Sequence, residues 1–146
     1  MPRSDPARTM LREASLAELR RGAVPRCCRV LVNRGRGNDE LAPAEALLAE
    51  FMAMKRLLER RFGKGSAEAH NRAFLACRYE ERFRQQIQGD PVALERLRRL
   101  AERARHEEVY LVCYEGLDKA CHRRILLRIA QERFGAAVEV RGVEPA

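Results

Sequence analysis

The chain has 146 residues, a formal net charge of +8, five cysteines and no tryptophan. That length supports one compact domain with a real core, and the scarcity of aromatics predicts an aliphatic interior with little capacity to stack on bases. No positively charged start leads into an apolar run, and no segment approaches the roughly 20 apolar residues of a membrane span, so neither a signal peptide nor a membrane partner is expected.

The positive charge is nearly all arginine, because Lys55, Lys64 and Lys119 are the only lysines. A guanidinium is a planar fork suited to phosphate and carboxylate, which points to a small anionic ligand. The same arginines are spread along most helical segments, where they read equally as solubilising charge. The odd set Cys27, Cys28, Cys77, Cys113 and Cys121 fits free thiols in a reduced, cytoplasmic protein.

In chain order, Met1 to Arg8 carries two prolines and three charges without apolar periodicity. Residues 1–14 are expected as a flexible N-terminal tail, and 15–146 as a single domain. Ser15 can cap a short helix ending at Gly22. Cys27 to Asn33, CCRVLVN, reads as a buried strand. It runs into an irregular loop, Arg34 to Pro43. Leu47, Leu48, Phe51, Met54, Leu58 and Phe62 then recur at helical spacing. Met52 and Leu57 widen that apolar face and suit either deeper core or a homodimer surface.

Ser66 can cap a second helix running through His70, Phe74, Tyr79, Phe83 and Ile87. Asp90 and Pro91 open a third as cap and first helical residue. Val109 to Tyr114 is a second strand. Ile125, Leu126, Ile129, Ala130 and Phe134 mark a last helix stopped by Gly135, and AAVEVRGV is expected as a third strand. The fold class predicted is α/β: a small, mainly parallel sheet of about three strands flanked by helices.

The most informative stretch is VYLVCYEGLDKACHRR, Val109 to Arg124. In open parallel sheets, ligands bind beyond the carboxyl ends of the strands, and Arg34 to Asp39 and Glu115 to Arg123 both fall there. The first N–H groups of a helix lack partners within it and its dipole is positive there, so an anion or a thiolate is stabilised at that end. Cys121 is therefore a candidate nucleophile, with Glu115 and His122 as candidate acid/base or orienting groups. Arg34, Arg36 and Arg123 are candidate anion ligands. Cys113 and Tyr79 are read as supporting groups behind the site.

A phosphatase loop needs arginine six residues after its cysteine, but that position is Lys119 after Cys113 and Leu127 after Cys121. No two cysteines stand three apart, as a thioredoxin-type motif requires. Zinc motifs show paired close ligands, and adjacent Cys27 and Cys28 would face opposite sides of a strand. No metal and no cofactor are expected.

LVCYEGLDKACHRRILL resembles the closing motif of the family catalogued as domain of unknown function 488: an apolar strand ending in Cys-x-Glu, a short loop, then Cys-His-Arg opening a helix. The matching residues are Cys113, Glu115, Cys121, His122 and Arg123. RVLVNRGRG, DELAPAEALLAEF from Asp39 and CRYEERFRQQI from Cys77 are similar to earlier family segments, in the same order. The early loop carries Arg34 and Arg36 where many members have Trp-Pro-Arg-Gly. The resemblance implies a layered α/β fold and a cytoplasmic prokaryotic protein, without a settled activity. The expected function is an anion-binding site for phosphate, nucleotide or carboxylate at the strand ends, with Cys, Glu and Arg available for catalysis. The alternative is a basic nucleic-acid-binding or oligomeric interaction module in which the Cys-His-Arg cluster is structural.

Overall fold

The computed structural model describes residues 10–25 and 29–144. The element order is β1 (Leu11–Ser15), α1 (Leu16–Arg20), β2 (Arg29–Leu31), a 3-10 turn (Asp39–Leu41), α2 (Glu45–Phe62), α3 (Ala67–Ala76), α4 (Tyr79–Gln88), α5 (Pro91–Arg103), β3 (Val109–Cys113) and α6 (His122–Phe134). The three strands form one parallel sheet in the order β1-β3-β2. The α/β class is therefore as the sequence predicts.

Local signals explain most of the elements. Ser15 caps α1 through a reciprocal capping box with Glu18. Ser66 accepts from the Ala69 N–H at the start of α3, and Asp90 accepts from Val92 ahead of Pro91. The helix expected through Ser66 to Ile87 is two helices, because Arg78 adopts a left-handed conformation (φ 54°) between them. Cys27, Cys28 and residues 1–9 lie outside the described residues.

Two expectations about the sheet are corrected. The segment 11–14, assigned to a flexible tail, is most of β1, which is buried along its whole length. The expected third strand AAVEVRGV forms only a bridge between Val138 and Leu11. The reason is chemical: beyond Val140 the Arg141 and Gly142 N–H groups donate to the Glu13 carboxylate, at 2.7 and 3.2 Å, instead of extending the ladder.

Period-two alternation sorts the sheet into two faces. Leu11, Val30, Val109, Leu111 and Cys113 join the main core with α2 to α6, whereas Ala14 and Val112 pack with Val24, Leu16 and Leu19 on the other side. Glu13 shares the main-core face, fully buried and in register with Leu111. It accepts from Arg123 Nε at 2.8 Å and from Arg124 Nε at 3.0 and 3.1 Å. Arg124 also donates to the carbonyls of Gly116, Lys119 and Val143, at 3.0, 2.6 and 3.1 Å. A Cβ on Gly142 would overlap that guanidinium and push it off its partners, so glycine lets the chain pass with the network intact. One carboxylate thus ties β1, α6, the loop after β3 and the C-terminal segment together.

Many of the arginines facing solvent pair with glutamates on their own helix, as in Arg72–Glu68, Arg98–Glu95 and Arg99–Glu95. Such pairs stabilise a helix by tenths of a kcal/mol at most. Among the described residues no helix is long and apolar enough to cross a membrane.

Two measurements test this framework. Leu11→Ala removes a fully buried side chain from β1 and should destabilise the protein by roughly 2–5 kcal/mol in urea unfolding; a change within experimental error would mean that β1 is dispensable. Glu13→Gln leaves two buried guanidinium groups without their anion and should cost about 3–5 kcal/mol. Burial pushes the Glu13 carboxyl up, but the hydrogen bonds and charges of Arg124 and Arg123 outweigh it and hold the group below its ordinary 4.5. A depressed folded value means that the stabilisation is present above about pH 4.5 and is lost as the pH falls through the folded value. Glu18, held at about 2 chiefly by the Arg141 hydrogen bond, follows the same sign. The stability gap between the native protein and Glu13→Gln should therefore narrow on acidification below pH 4.5; a constant gap would contradict the ionised network.

Candidate functional site

A cavity of about 350 Å³ opens at the carboxyl ends of β2 and β3. Asn33 and Arg34 enter it from the chain after β2, Cys113 and Glu115 from the end of β3, and Cys121 and His122 from the start of α6. Phe51, Met52 and Lys55 come from α2, His70 and Phe74 from α3, and Tyr79 from α4. Its apolar wall is built of rings: Tyr79 stacks on Phe74 at 4.2 Å, and Phe51 stands edge-on to Tyr79 and His70.

The floor is the Cys113–Cys121–His122 cluster. Alternation along β3 turns Cys113 to the face where α6 lies, and Cys121 is the N-cap residue of α6. Both sulfurs and the His122 imidazole lie within 4.8 Å of one another, and all three residues are buried. His122 Nδ1 stands 3.9 Å from Cys113 Sγ and 3.8 Å from Cys121 Sγ. Its Nε2 lies 2.9 Å from the Val32 carbonyl. A carbonyl only accepts, so Nε2 carries a proton, and Nδ1 is the ring atom that faces the sulfurs.

The two thiols differ. Burial pushes the Cys121 thiol up, yet the hydrogen bond from Cys113 and the charges of its neighbours bring it well below its ordinary value. Cys113 is pushed up by donating that hydrogen bond and by burial. A negative charge on the pair is thus favoured at Cys121, at the positive end of α6, and a proton at Cys113. Among the described residues Cys77, Cys113 and Cys121 are all free thiols.

The loop before the cluster is pinned by α3. Asn71 donates to the Asp118 carbonyl at 2.9 Å and accepts from the Ala120 N–H at 2.8 Å. His70 Nε2 donates to the Ala120 carbonyl at 2.7 Å. Burial drives the His70 pKa down, so the ring is neutral, and its buried Nδ1 has no partner among the described residues.

The predicted site residues are only partly brought together. Cys113, Glu115, Cys121, His122, Arg34 and Tyr79 all line the one cavity. Cys113, read as a supporting group, is a member of the cluster itself. Arg36 is exposed in the loop and does not line the cavity. Arg123, expected to hold an anion, is fully buried against Glu13 and also does not line the cavity. Arg34 is tethered by one Nη2 bond to the Pro43 carbonyl at 2.8 Å and lies 3.8 Å from Asp39, with its side chain about one-third exposed. His70, Asn71 and Lys55 were not selected from sequence. The one signal for His70 was a histidine on an otherwise apolar helix face.

No curated protein and no solved structure matches the chain. The family model DUF488-N3a, described as the active DUF488-N3 subclade, matches residues 37–134, which include the Cys-x-Glu and Cys-His-Arg segments. The match covers more than half of the sequence, and the chain belongs to the domain of unknown function 488 family.

Proposed function

We propose that this chain is an enzyme acting on a small molecule that carries a phosphate or carboxylate group, with the Cys113–Cys121–His122 cluster as its reactive centre. The observation that carries the reading is convergence: three electron-pair donors meet at the floor of a cavity that Arg34 and Lys55 also line. Near 350 Å³, the cavity lies at the small end of ligand sites, suited to a mononucleotide or something smaller. The apolar ring wall takes the body of the substrate. Arg34 receives its anionic group through guanidinium donors left after the Pro43 bond, and Lys55 adds a second positive charge.

Cys121 is the reacting sulfur in this reading, because it combines the N-cap position of α6 with the nearby Cys113 and His122 side chains. His122 fixes the geometry through Val32. Glu115 lines the same cavity on a half-buried part of the chain after β3 and is the candidate for proton transfer. The description of the subclade as active agrees with a catalytic role. Thiols kept reduced at such a centre suit the cytoplasm. The alternative of a nucleic-acid or oligomeric module draws less support: many surface arginines are neutralised within their helices, and the exposed Met52 lines the cavity.

The test is a ligand screen by calorimetry with inorganic phosphate, nucleoside monophosphates and small carboxylates. Arg34→Ala and Lys55→Ala should each weaken a bound anion about tenfold or more, equivalent to about 1.4 kcal/mol, with the melting temperature nearly unchanged. Cys121→Ser should abolish turnover while retaining binding. Anion binding that is indifferent to both cations would overturn the reading.

A further inference from the structure

We infer that Cys113 Sγ, Cys121 Sγ and His122 Nδ1 form the binding site of one thiophilic divalent cation, zinc by its chemistry, with the fourth coordination position open to the cavity. The inference rests on the cluster being the reactive centre; with the ion bound, Cys121 serves as a ligand thiolate in place of a free one.

Geometry is the first support. In a tetrahedral zinc site with ordinary bond lengths, a sulfur and a nitrogen ligand stand about 3.6 Å apart. The two sulfur-to-Nδ1 distances here are 3.9 and 3.8 Å, and all three donor atoms lie within 4.8 Å of one another. The two sulfur-to-nitrogen distances need shorten by only a few tenths of an ångström to reach that separation.

The second support is independent of those distances. The Val32 carbonyl holds the Nε2 proton, so in the neutral ring Nδ1 is the lone-pair donor, and it faces the sulfurs. A metal-bound histidine characteristically donates its other ring N–H to a carbonyl or carboxylate, which fixes the tautomer and the ring plane. Phe83, edge-on to His122 at 5.4 Å, holds that plane from the side.

Charge and donor type choose the ion. Two thiolates and a neutral imidazole around a divalent cation sum to zero, which suits a buried position better than a separated charge. Sulfur donors select zinc over magnesium or calcium, which require oxygen. With three protein ligands and an open side the site is of the catalytic type, in which the fourth position takes water or substrate. His70 also lines the cavity, and its buried, unpartnered Nδ1 can accept a hydrogen bond from a water held there.

Metal loading takes up one divalent cation and releases whichever protons the two sulfurs still hold. The full-length protein, purified after growth with added zinc, should carry about one zinc per chain by elemental analysis. After chelation, titration with cobalt(II) should give a near-ultraviolet sulfur-to-cobalt charge-transfer band and the intense visible bands of a tetrahedral site. X-ray absorption at the zinc edge of the native protein should report two sulfurs and one imidazole nitrogen, a readout that needs no variant to fold. Cys113→Ser and Cys121→Ser should each lower cobalt affinity at least about tenfold, whereas Arg34→Ala should leave it unchanged. Native protein without zinc and without a cobalt charge-transfer band would overturn the site, as would undiminished loading in both serine variants. If metal is absent while Arg34→Ala still weakens anion binding, this inference falls and the proposed function stands. If metal binds while anion binding ignores Arg34 and Lys55, the reverse holds.

Discussion

The Glu13 carboxylate is the interaction on which the rest of the molecule depends. It is fully buried, and burying an anion is unfavourable unless it is paired and hydrogen-bonded. Here it meets two guanidinium groups and two backbone N–H groups. Through Arg124 the same network reaches three carbonyls on either side of the cluster. The position of α6 relative to β1 is set by this network, and α6 carries Cys121 and His122. The cluster atoms are thus held by a charged network that lines no part of their cavity.

A separate set of bonds shapes the opening of the site. His122 fastens α6 to the chain after β2 through Val32, and α3 fastens the loop Asp118–Ala120 through His70 and Asn71. The cluster therefore exists only when β2, β3, α3 and α6 are all in place. Its parts come from segments far apart in sequence, so the assembled site is a property of the folded chain and not of the Cys-His-Arg motif alone.

Some of this was legible in the sequence for identifiable reasons. Ser15, Ser66 and the Asp90–Pro91 pair announce helix starts because their side chains or fixed φ answer local needs. Val109–Cys113 reads as a buried strand, and Cys121 as a helix start, from short-range pattern. What could not be read depends on long-range pairing. The strand Leu11–Ser15 carries an arginine and a glutamate, which suggests a solvated tail until the buried partners of Glu13 are known. Arg123 looked available for an anion because its own carboxylate partner lies at the other end of the chain. Alternation could place Cys113 on a face of β3, but not within reach of Cys121, eight positions further along the chain.

The family match begins at residue 37, yet β1 lies wholly before it and the Arg141–Gly142 turn lies after it. A fragment trimmed to the matched residues would discard Glu13 and strand Arg123 and Arg124 in an apolar interior. The unit that folds is therefore longer at both ends than the unit that is recognisable. A relative compared with this chain only over the shared segment is compared without the counter-ion that seats α6 here, and a variant of this chain without the Glu13 carboxylate would need both arginines changed as well.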